Sequence, residues 1–291
     1  MRTTTQGHPI RQGFGAMRLH TADGPGRDPS RVIGTALDLG VTMIDTADAY
    51  QNEELVGRVI RDRRGEVQLA SKFGLVWGDE FAAGFQVRAD PAYVRHACEA
   101  SLRRLGVDVI DLYYLHHRSD DVPIEETVGA MAALVDEGKV RSLGLSNVTV
   151  GDLRRASAVY RIAALQQEWS LVRRAVEEEL VPTAAALGTT IVAHSPFGHG
   201  VLHGSDDGAH ADLRAALADI ARAHGVNGGQ VALAWVHHRE QVHDVPVLAL
   251  PGSTRARHVR ENVAAADLTL SDDELRHLDA LTDTRNRTET R

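Results

Sequence analysis

Four polar side chains in the first half of the sequence are of the types that could deliver a proton to a carbonyl oxygen. Tyr50 could donate the proton, although a free tyrosine has a pKa of about 10 and is a reluctant acid. An ammonium at Lys72 would stabilise the phenolate and lower that pKa, and Asp45 could hold Lys72 as its ion partner. His116 could hydrogen-bond the substrate oxygen or relay the proton, and both roles stay open.

Polar residues stand directly after short apolar runs throughout the chain. Parallel strands that are buried on both faces read as such runs, and the carboxyl ends of the strands of a closed barrel meet at one mouth, where active sites lie. A single polar residue at this position can simply mark the end of a strand. Because the pattern recurs at strand after strand, it predicts a shared site at the mouth. The residues in these positions are Asp45, Lys72, His116, Ser146, Asn147, Gln166, His194, Ser195, Gly252 and Ser253.

Alternating strand-like and helix-like segments predict an α/β fold, a (β/α)8 TIM barrel that forms a single domain over residues 1–291. An open doubly wound sheet would need a glycine-rich phosphate loop after its first strand, but the residues from Gly13 to Arg18 lack the third glycine of that fingerprint. The expected strands are 13–17, 41–44, 67–71, 109–115, 140–145, 162–165, 190–193 and 245–250. The expected helices are 30–39, 52–61, 91–105, 124–137, 150–159, 175–187, 228–238 and 256–265, with loops at 21–30 and 199–208.

The composition argues against several classes of function. The formal net charge of −8 disfavours a general nucleic-acid or membrane-surface role, because both need basic faces. No apolar run is long enough to cross a bilayer, and the first residues lack the apolar core of a signal peptide. Cys98 is the one cysteine, so no internal disulfide can form and we expect a cytoplasmic protein. We expect no metal site, because the histidines lack carboxylate or cysteine partners at ligand spacing.

Several segments match the motifs of a known family, in order. The first runs from Ile44 to Gly57 and includes Asp45 and Tyr50. The later matches are Ser71 to Phe73, Asp111 to His116, Gly144 to Asn147, Gln166 to Glu168, Pro251 to Arg255, and Glu261 with Asn262. Over essentially the whole chain, the sequence resembles the aldo-keto reductase family. The resemblance implies NADPH-dependent reduction of an aldehyde or ketone to an alcohol by a tetrad of Asp45, Tyr50, Lys72 and His116.

The resemblance also implies where the nicotinamide half of NADPH binds. Ser146, Asn147 and Gln166 offer the donors and acceptors that the carboxamide needs, and their counterparts in the family bind it. His194 stands where relatives carry the tyrosine or tryptophan that stacks on the nicotinamide, and imidazole offers less surface. The other residues expected to contact the cofactor here are Gly15, Met17, Asp45, Ser195, Phe197, Gly198 and Gly200.

A second group of cofactor candidates lies around the start of the last predicted helix. Helix starts bind anions through free N–H groups, and added arginine suits a ribose 2′-phosphate, so this group favours NADP(H) over NAD(H). His258 stands where relatives usually carry arginine, which predicts weaker or pH-dependent phosphate binding. Glu261 and Asn262 resemble the family's adenine contacts. The phosphate-binding candidates are Ser253, Thr254, Arg255, Arg257 and His258.

The substrate is the least defined part of the interpretation. Trp77, Phe81, Phe85 and His117 are candidate wall residues, and the polar residues after Leu281 offer no aromatic lid, so we expect an open pocket for a small-molecule carbonyl. Two other functions stay open: a cofactor-binding regulatory subunit of a larger assembly, and an NAD(P)-dependent sugar or alcohol dehydrogenase that works in the oxidative direction. We expect a monomer or a weak homo-oligomer.

Overall fold

The computed structural model of the chain describes residues 12–19, 28–78, 84–203, 208 and 210–282. Its centre is a sheet of eight parallel strands, which lie side by side in the order in which they occur along the chain. The sheet closes into a barrel, because the N–H of Gly15 donates to the carbonyl of Pro251 at 3.1 Å and Gln12 pairs with Ala249. The barrel strands are β1 Gly13–Gly15, β2 Met43–Asp45, β3 Gln68–Phe73, β6 Leu112–Leu115, β7 Leu143–Ser146, β8 Ile162–Glu168, β9 Thr190–His194 and β10 Val247–Leu250.

A short antiparallel hairpin interrupts the alternation after β3. It consists of β4, Leu75–Trp77, and β5, Phe85–Val87, with Trp77 opposite Phe85. Each barrel strand is followed by one or two helices in the described part of the chain. These are α1 Pro29–Asp38, α2 Glu53–Ile60, α3 Pro91–Leu105, α4 Ile124–Asp136, α5 Val150–Val159, α6 Leu180–Leu187, α7 Ala211–His224, α8 Gly228–His243, α9 Ala256–Ala264 and α10 Asp272–Thr282.

The apolar side chains form two cores, one between the sheet and the helices and a smaller one within the barrel. The smaller core mixes large and small side chains: Met43, Ala70, Leu112, Tyr114, Ala164, Val192 and Leu250. Tyr114 fits because its neighbour on β7 is Gly144, where a Cβ atom would stand 2.3 Å from the tyrosine ring. The interior of the barrel is therefore a packed core rather than a pore, and this core supports the side chains at the mouth.

The structure confirms the predicted (β/α)8 fold and contains a strand at each predicted barrel position. The predicted helices 91–105 and 150–159 have the bounds of α3 and α5. The predicted loop at 199–208 was partly wrong, because 3-10 turns occupy Gly198–His203, and most of the loop at 21–30 lies outside the described residues. Since the chain ends also lie outside them, the single domain over residues 1–291 stays a prediction.

One predicted helix, 175–187, was wrong as a single element. A 3-10 turn at Ala175–Glu177 precedes α6, and Glu179 between them has a non-helical backbone. Pro182 lies in the first turn of α6 and provides the reason, because proline has no N–H and its ring clashes with the carbonyl four residues earlier in a longer helix. Helices α7 and α10 and the β4–β5 hairpin were absent from the sequence prediction.

No helix in the described residues is long and apolar enough to cross a membrane.

The close packing of Gly144 against Tyr114 predicts a stability effect. Gly144→Ala should lower the free energy of unfolding by about 1–3 kcal/mol, because the methyl group cannot fit without displacing the ring or the strand. Gly129→Ala is the matched control, because Gly129 lies exposed within α4 and nothing lies near the added Cβ. Alanine at this position should raise the free energy of unfolding by about 0.5–1 kcal/mol. Urea unfolding of both variants measures the difference. Equal behaviour of the two variants would contradict the packing argument.

Candidate active site

A buried ion pair lies at the carboxyl ends of β2 and β3. Lys72 donates a hydrogen bond to Oδ1 of Asp45, and its Nζ lies 3.0 Å from the carbonyl oxygen of Thr46. The second carboxylate oxygen of Asp45 accepts a hydrogen bond of 2.9 Å from Nε2 of Gln166. The side chains of Lys72 and Asp45 are almost fully buried, with 1% and 3% exposure. Burial of the two charges is therefore offset by the direct pair and by further hydrogen bonds to the Thr46 carbonyl and from Gln166 of β8.

Tyr50 and His116 lie against this pair. Tyr50 is carried on a one-turn 3-10 helix, Asp48–Tyr50, that follows β2. Nζ of Lys72 lies 5.0 Å from the centre of the Tyr50 ring, and the Tyr50 and His116 rings meet edge to face with their centres 5.6 Å apart. The four residues that the sequence singled out thus converge on one place at the mouth of the barrel.

The pKa of Tyr50 is raised above its usual value of 10.0, contrary to the fall expected from Lys72 alone. Burial is the largest cause, and it outweighs the charge and hydrogen bond of Lys72, which act in the expected direction. The pKa of Lys72 is also raised, because the opposing effect of burial is exceeded by Asp45 and Tyr50. At neutral pH the site therefore holds a protonated phenol beside an ammonium.

His116 remains a neutral imidazole. Burial, followed by the charge of Lys72, lowers its pKa to about 2. Its ring faces that of Tyr50, whereas the ring of the next residue, His117, lies 5.8 Å from that of Phe85. A neutral imidazole can donate one hydrogen bond to a substrate oxygen, which favours the orienting role of His116 over the relay of a proton.

The candidates for the nicotinamide side lie around the same mouth. Ser146 ends β7, and Asn147 follows it with a left-handed backbone at φ 52°. Nδ2 of Asn147 donates to the carbonyl of His116 at 2.9 Å and to Oγ of Ser146 at 3.1 Å, which uses both amide hydrogens. Nε2 of Gln166 donates to Asp45, so one of the three carboxamide candidates is hydrogen-bonded directly to the buried ion pair.

His194 ends β9, and the segment that follows contains two glycines. Burial and the charge of Lys72 lower the pKa of His194 to about 4, so its ring is neutral, and Nδ1 lies 3.1 Å from Oγ of Ser195. Gly198 and Gly200 both have positive φ angles, of 57° and 94°. A Cβ on Gly198 would lie 2.3 Å from Val172, so glycine is required for the close approach. Phe197 stands beside them, half-buried.

The second group of cofactor candidates surrounds the start of α9. Arg255 is exposed at the N-cap, and no side chain caps this helix. Oγ of Ser253 instead accepts the N–H of Arg255 at 3.0 Å, so the first-turn N–H groups of α9 have no side-chain acceptor. Arg257 pairs with Glu261 at 2.7 Å on the exposed side of the helix, which joins a phosphate candidate to an adenine candidate. Thr254, His258 and Asn262 lie on the same segment.

Next to this group, Gly15 ends β1, and Met17 lies two residues later with 45% exposure. The carbonyl of Gly15 approaches Gly252 so closely that a Cβ there would lie 2.8 Å from it.

Three of the four candidate wall residues form a continuous aromatic row. Trp77 and Phe85 meet edge to face at 5.7 Å, and Phe85 contacts His117 at 5.8 Å. Trp77 is 57% exposed, so one end of the row faces the solvent. Phe81 and residues 283–291 lie outside the described residues. In the part of the chain that the structure describes, no group of three or more His, Cys, Asp or Glu side chains could hold a metal ion.

Comparison with known proteins identifies this arrangement. The sequence profile of the Aldo/keto reductase family matches residues 12–283. The chain belongs to the aldo/keto reductase family. Similar solved structures include an aldo/keto reductase from Klebsiella pneumoniae in complex with NADP and acetate, which is 33% identical over 95% of this chain and 93% of that one, with a TM-score of 0.76.

Two further solved relatives cover nearly the same length. An aldo-keto reductase from Klebsiella pneumoniae in complex with NADPH is 31% identical over 97% of this chain and 96% of that one, with a TM-score of 0.76. The glycerol dehydrogenase of Gluconobacter oxydans is 26% identical over 93% of this chain and 90% of that one, with a TM-score of 0.82. This aldo/keto reductase therefore shares the whole barrel with these enzymes.

Sequence reasoning assigned no role to several residues of the first motif that support the site of this aldo/keto reductase. Asn52 accepts the Thr46 hydroxyl at 2.5 Å, and its Nδ2 donates to the carbonyls of Ala16 and Leu19. Glu53 is 1% exposed and accepts the hydroxyl of Ser71, the neighbour of Lys72. Their presence within the motif was the available signal, but only the fold shows what they contact.

The buried ion pair predicts a large and separable stability effect in this aldo/keto reductase. Asp45→Asn should lower the free energy of unfolding by about 3–5 kcal/mol, because the ammonium of Lys72 loses the carboxylate with which it pairs while remaining buried. The double change Asp45→Asn with Lys72→Met should recover much of that loss, since no unpaired charge remains. Denaturant unfolding at pH 7 tests both. An equal loss in the single and double variants would show that the pair does not govern stability.

Proposed function

We propose that this aldo/keto reductase reduces an aldehyde or ketone to an alcohol with NADPH, and that Tyr50 donates the proton. The observation that carries the proposal is the protonated Tyr50 phenol held between the buried Lys72 ammonium and the neutral ring of His116. A reducible carbonyl needs a proton donor at its oxygen and a hydride at its carbon. When bound, NADPH supplies the hydride.

Four side chains divide the remaining steps of the reaction. His116 hydrogen-bonds the carbonyl oxygen and orients it toward the Tyr50 hydroxyl. Tyr50 transfers its proton to that oxygen as negative charge develops there. The charge of Lys72 stabilises the resulting phenolate, and Asp45 keeps Lys72 in place. Because the chemistry needs a fixed charge in a water-poor place, the deep burial of Lys72 supports this division of roles.

The residues around the mouth fit a phosphorylated dinucleotide. The uncapped start of α9 presents N–H groups next to the exposed Arg255, which suits a ribose 2′-phosphate, and Gly198 and Gly200 allow a close backbone approach for a pyrophosphate. The similar enzymes from Klebsiella pneumoniae were solved with NADP and with NADPH. Ser146, Gln166 and His194 lie on the neighbouring strands β7, β8 and β9, which supports their role, with Asn147, as contacts of the nicotinamide.

The remaining expectations stay predictions. A cytoplasmic location, a monomer or weak homo-oligomer, and the absence of nucleic-acid partners follow from the sequence alone.

Removal of the Tyr50 hydroxyl is the direct test of the proposed function. Tyr50→Phe should lower kcat/KM for carbonyl reduction on the order of 10²–10⁴-fold, because the proton donor is lost while the ring and its contact with His116 remain. The dissociation constant of NADPH, measured by fluorescence titration, should stay nearly unchanged. A panel of aldehydes and ketones assayed by NADPH oxidation supplies the substrate. Full turnover by the variant would refute the assignment of Tyr50.

Arg255 provides the test of cofactor choice. Arg255→Ala should raise the dissociation constant of NADPH about tenfold, equivalent to about 1.4 kcal/mol, and change that of NADH much less, because only NADPH carries the 2′-phosphate. Arg276→Ala is the control, since Arg276 is exposed on α10 and pairs with Asp273 there. Equal changes for the two cofactors would mean that Arg255 does not recognise the phosphate.

A further inference from the structure

Asn52 uses its whole side-chain amide to tie the start of α2 to two other segments at the mouth of the barrel. Its Oδ1 accepts the hydroxyl of Thr46 at 2.5 Å, and its Nδ2 donates to the carbonyls of Ala16 at 2.8 Å and Leu19 at 3.0 Å. A side-chain amide has two N–H donors, so both are used. Asn52 and Thr46 are 3% and 0% exposed, so these hydrogen bonds lie away from bulk water.

The hydrogen bond between Asn52 and Thr46 closes the loop that carries Tyr50. Thr46 follows the last residue of β2, Tyr50 ends the 3-10 helix, and Asn52 is the N-cap of α2. Gln51, next to Tyr50, has a left-handed backbone with φ 55°, which is unfavourable for a non-glycine residue and persists only where the surroundings determine it. The side chain of Asn52 therefore fixes one end of a strained loop against its other end.

The same loop contacts Lys72. Nζ of Lys72 donates to the carbonyl of Thr46 at 3.0 Å, and the N–H of Thr46 donates to the carbonyl of Ala70 in β3 at 2.9 Å. Because Asn52 binds the Thr46 hydroxyl, the residue whose carbonyl receives the ammonium is held by both its backbone and its side chain. A shift of Thr46 would therefore displace Lys72 relative to Tyr50.

On its other side, Asn52 reaches the turn that follows β1. Gly15 and Met17 are cofactor candidates in this segment, and the two carbonyls that accept from Asn52 belong to residues on either side of Met17. Met17 is exposed, whereas Ala16 and Leu19 are buried. One side chain thus connects a candidate cofactor segment with the loop of the proton donor.

Helix capping does not explain an asparagine at this position. An asparagine at an N-cap usually accepts a backbone N–H of the first turn through its side chain, as Asn227 does for Gln230 at the start of α8. The side chain of Asn52 makes no such bond in α2, a helix that lies wholly within the described residues. Asn52 therefore binds Thr46 and the turn after β1 in place of the stabilising contact that its own helix offers.

We propose that Asn52 is a positioning residue that holds the loop of Tyr50 and the turn of Met17 in register, so that the proton donor and the bound cofactor reach the same carbonyl group. This inference rests on the proposed roles of Tyr50 and NADPH. Because a displacement of about 1 Å can slow a reaction about a hundredfold, loss of the bond to Thr46 should affect the rate even where the fold is kept.

Thr46→Val tests the link to the proton donor. It removes the hydroxyl with little change of shape and leaves both bonds from Asn52 to the turn after β1. With the best substrate of the carbonyl panel, the single-turnover rate of hydride transfer from bound NADPH should fall about tenfold, and Thr46→Ser should restore it. The NADPH dissociation constant should change by less than about twofold in both variants, because the Met17 turn keeps its two anchors.

Thr189→Val is the matched control for the lost hydroxyl. The buried Thr189 hydroxyl donates to the carbonyl of Ile162 at 2.9 Å, where β8 and β9 begin, at the other end of the barrel. Its removal should lower the Tm without changing the rate of hydride transfer.

Asn52→Ala tests both links at once. It should raise the dissociation constant of NADPH about fivefold, because the Met17 turn loses two anchors, and slow hydride transfer at least as much as Thr46→Val does. Combined with Thr46→Val, it should give the rate of Asn52→Ala alone within about twofold, since both changes remove the same bond. Asn227→Ala removes an asparagine that does cap its helix, so it should lower the Tm but alter neither quantity.

The outcomes separate the inference from the function on which it rests. A full rate in Thr46→Val, an equal loss in Thr189→Val, or a rate that Thr46→Ser fails to restore would each overturn the positioning of Tyr50. An unchanged NADPH dissociation constant in Asn52→Ala would overturn the link to the cofactor, and if that variant does not fold, the threonine variants decide the outcome. A wild-type chain that binds NADPH but reduces no carbonyl would instead overturn the proposed function, while the dissociation constants would still test the link to the Met17 turn.

Discussion

The buried ion pair between Lys72 and Asp45 is the interaction on which the rest of the site depends. A buried charge is tolerated only where a partner and further hydrogen bonds compensate for its lost hydration. Here the compensation comes from three barrel strands, since Asp45 ends β2, Lys72 lies in β3 and Gln166 reaches across from β8. Residues 45 and 166 meet only when the sheet has curved into a closed barrel. Barrel closure is therefore a condition for the chemistry as well as for the fold.

Burial and the Lys72 ammonium together set the protonation of the neighbouring side chains. Burial, followed by the charge of Lys72, lowers the pKa of His116 to about 2 and that of His194 to about 4, so both rings are neutral. Tyr50 keeps its proton because burial raises its pKa more than Lys72 lowers it. A fixed cation, a protonated phenol and a neutral imidazole form a set that stabilises negative charge on an oxygen as it develops.

Features that depend on the local sequence pattern could be predicted, whereas features that depend on residues distant in the sequence could not. The barrel strands were predictable because parallel strands buried on both faces are continuous apolar runs, and the convergence of Tyr50 with Lys72 followed from where those runs end. The β4–β5 hairpin was not, because strands of three residues are too short to show an alternating pattern. Nor was the raised pKa of the Asp48 carboxyl, because its largest cause is burial, which only folding creates, followed by the charge of Glu53.

Strained backbone conformations lie mostly at the mouth of the barrel. Of the five non-glycine residues with positive φ in the described structure, four lie in segments that follow strands at the mouth: Gln51, Asn147, Ser195 and His199. Such conformations are unfavourable for L-residues, although least so for asparagine, and they persist only where the surroundings determine them completely. The filled barrel interior beneath, with Tyr114 packed on Gly144, provides that rigidity. The stability of the barrel is therefore what allows strained turns to be retained where the reacting groups must be held.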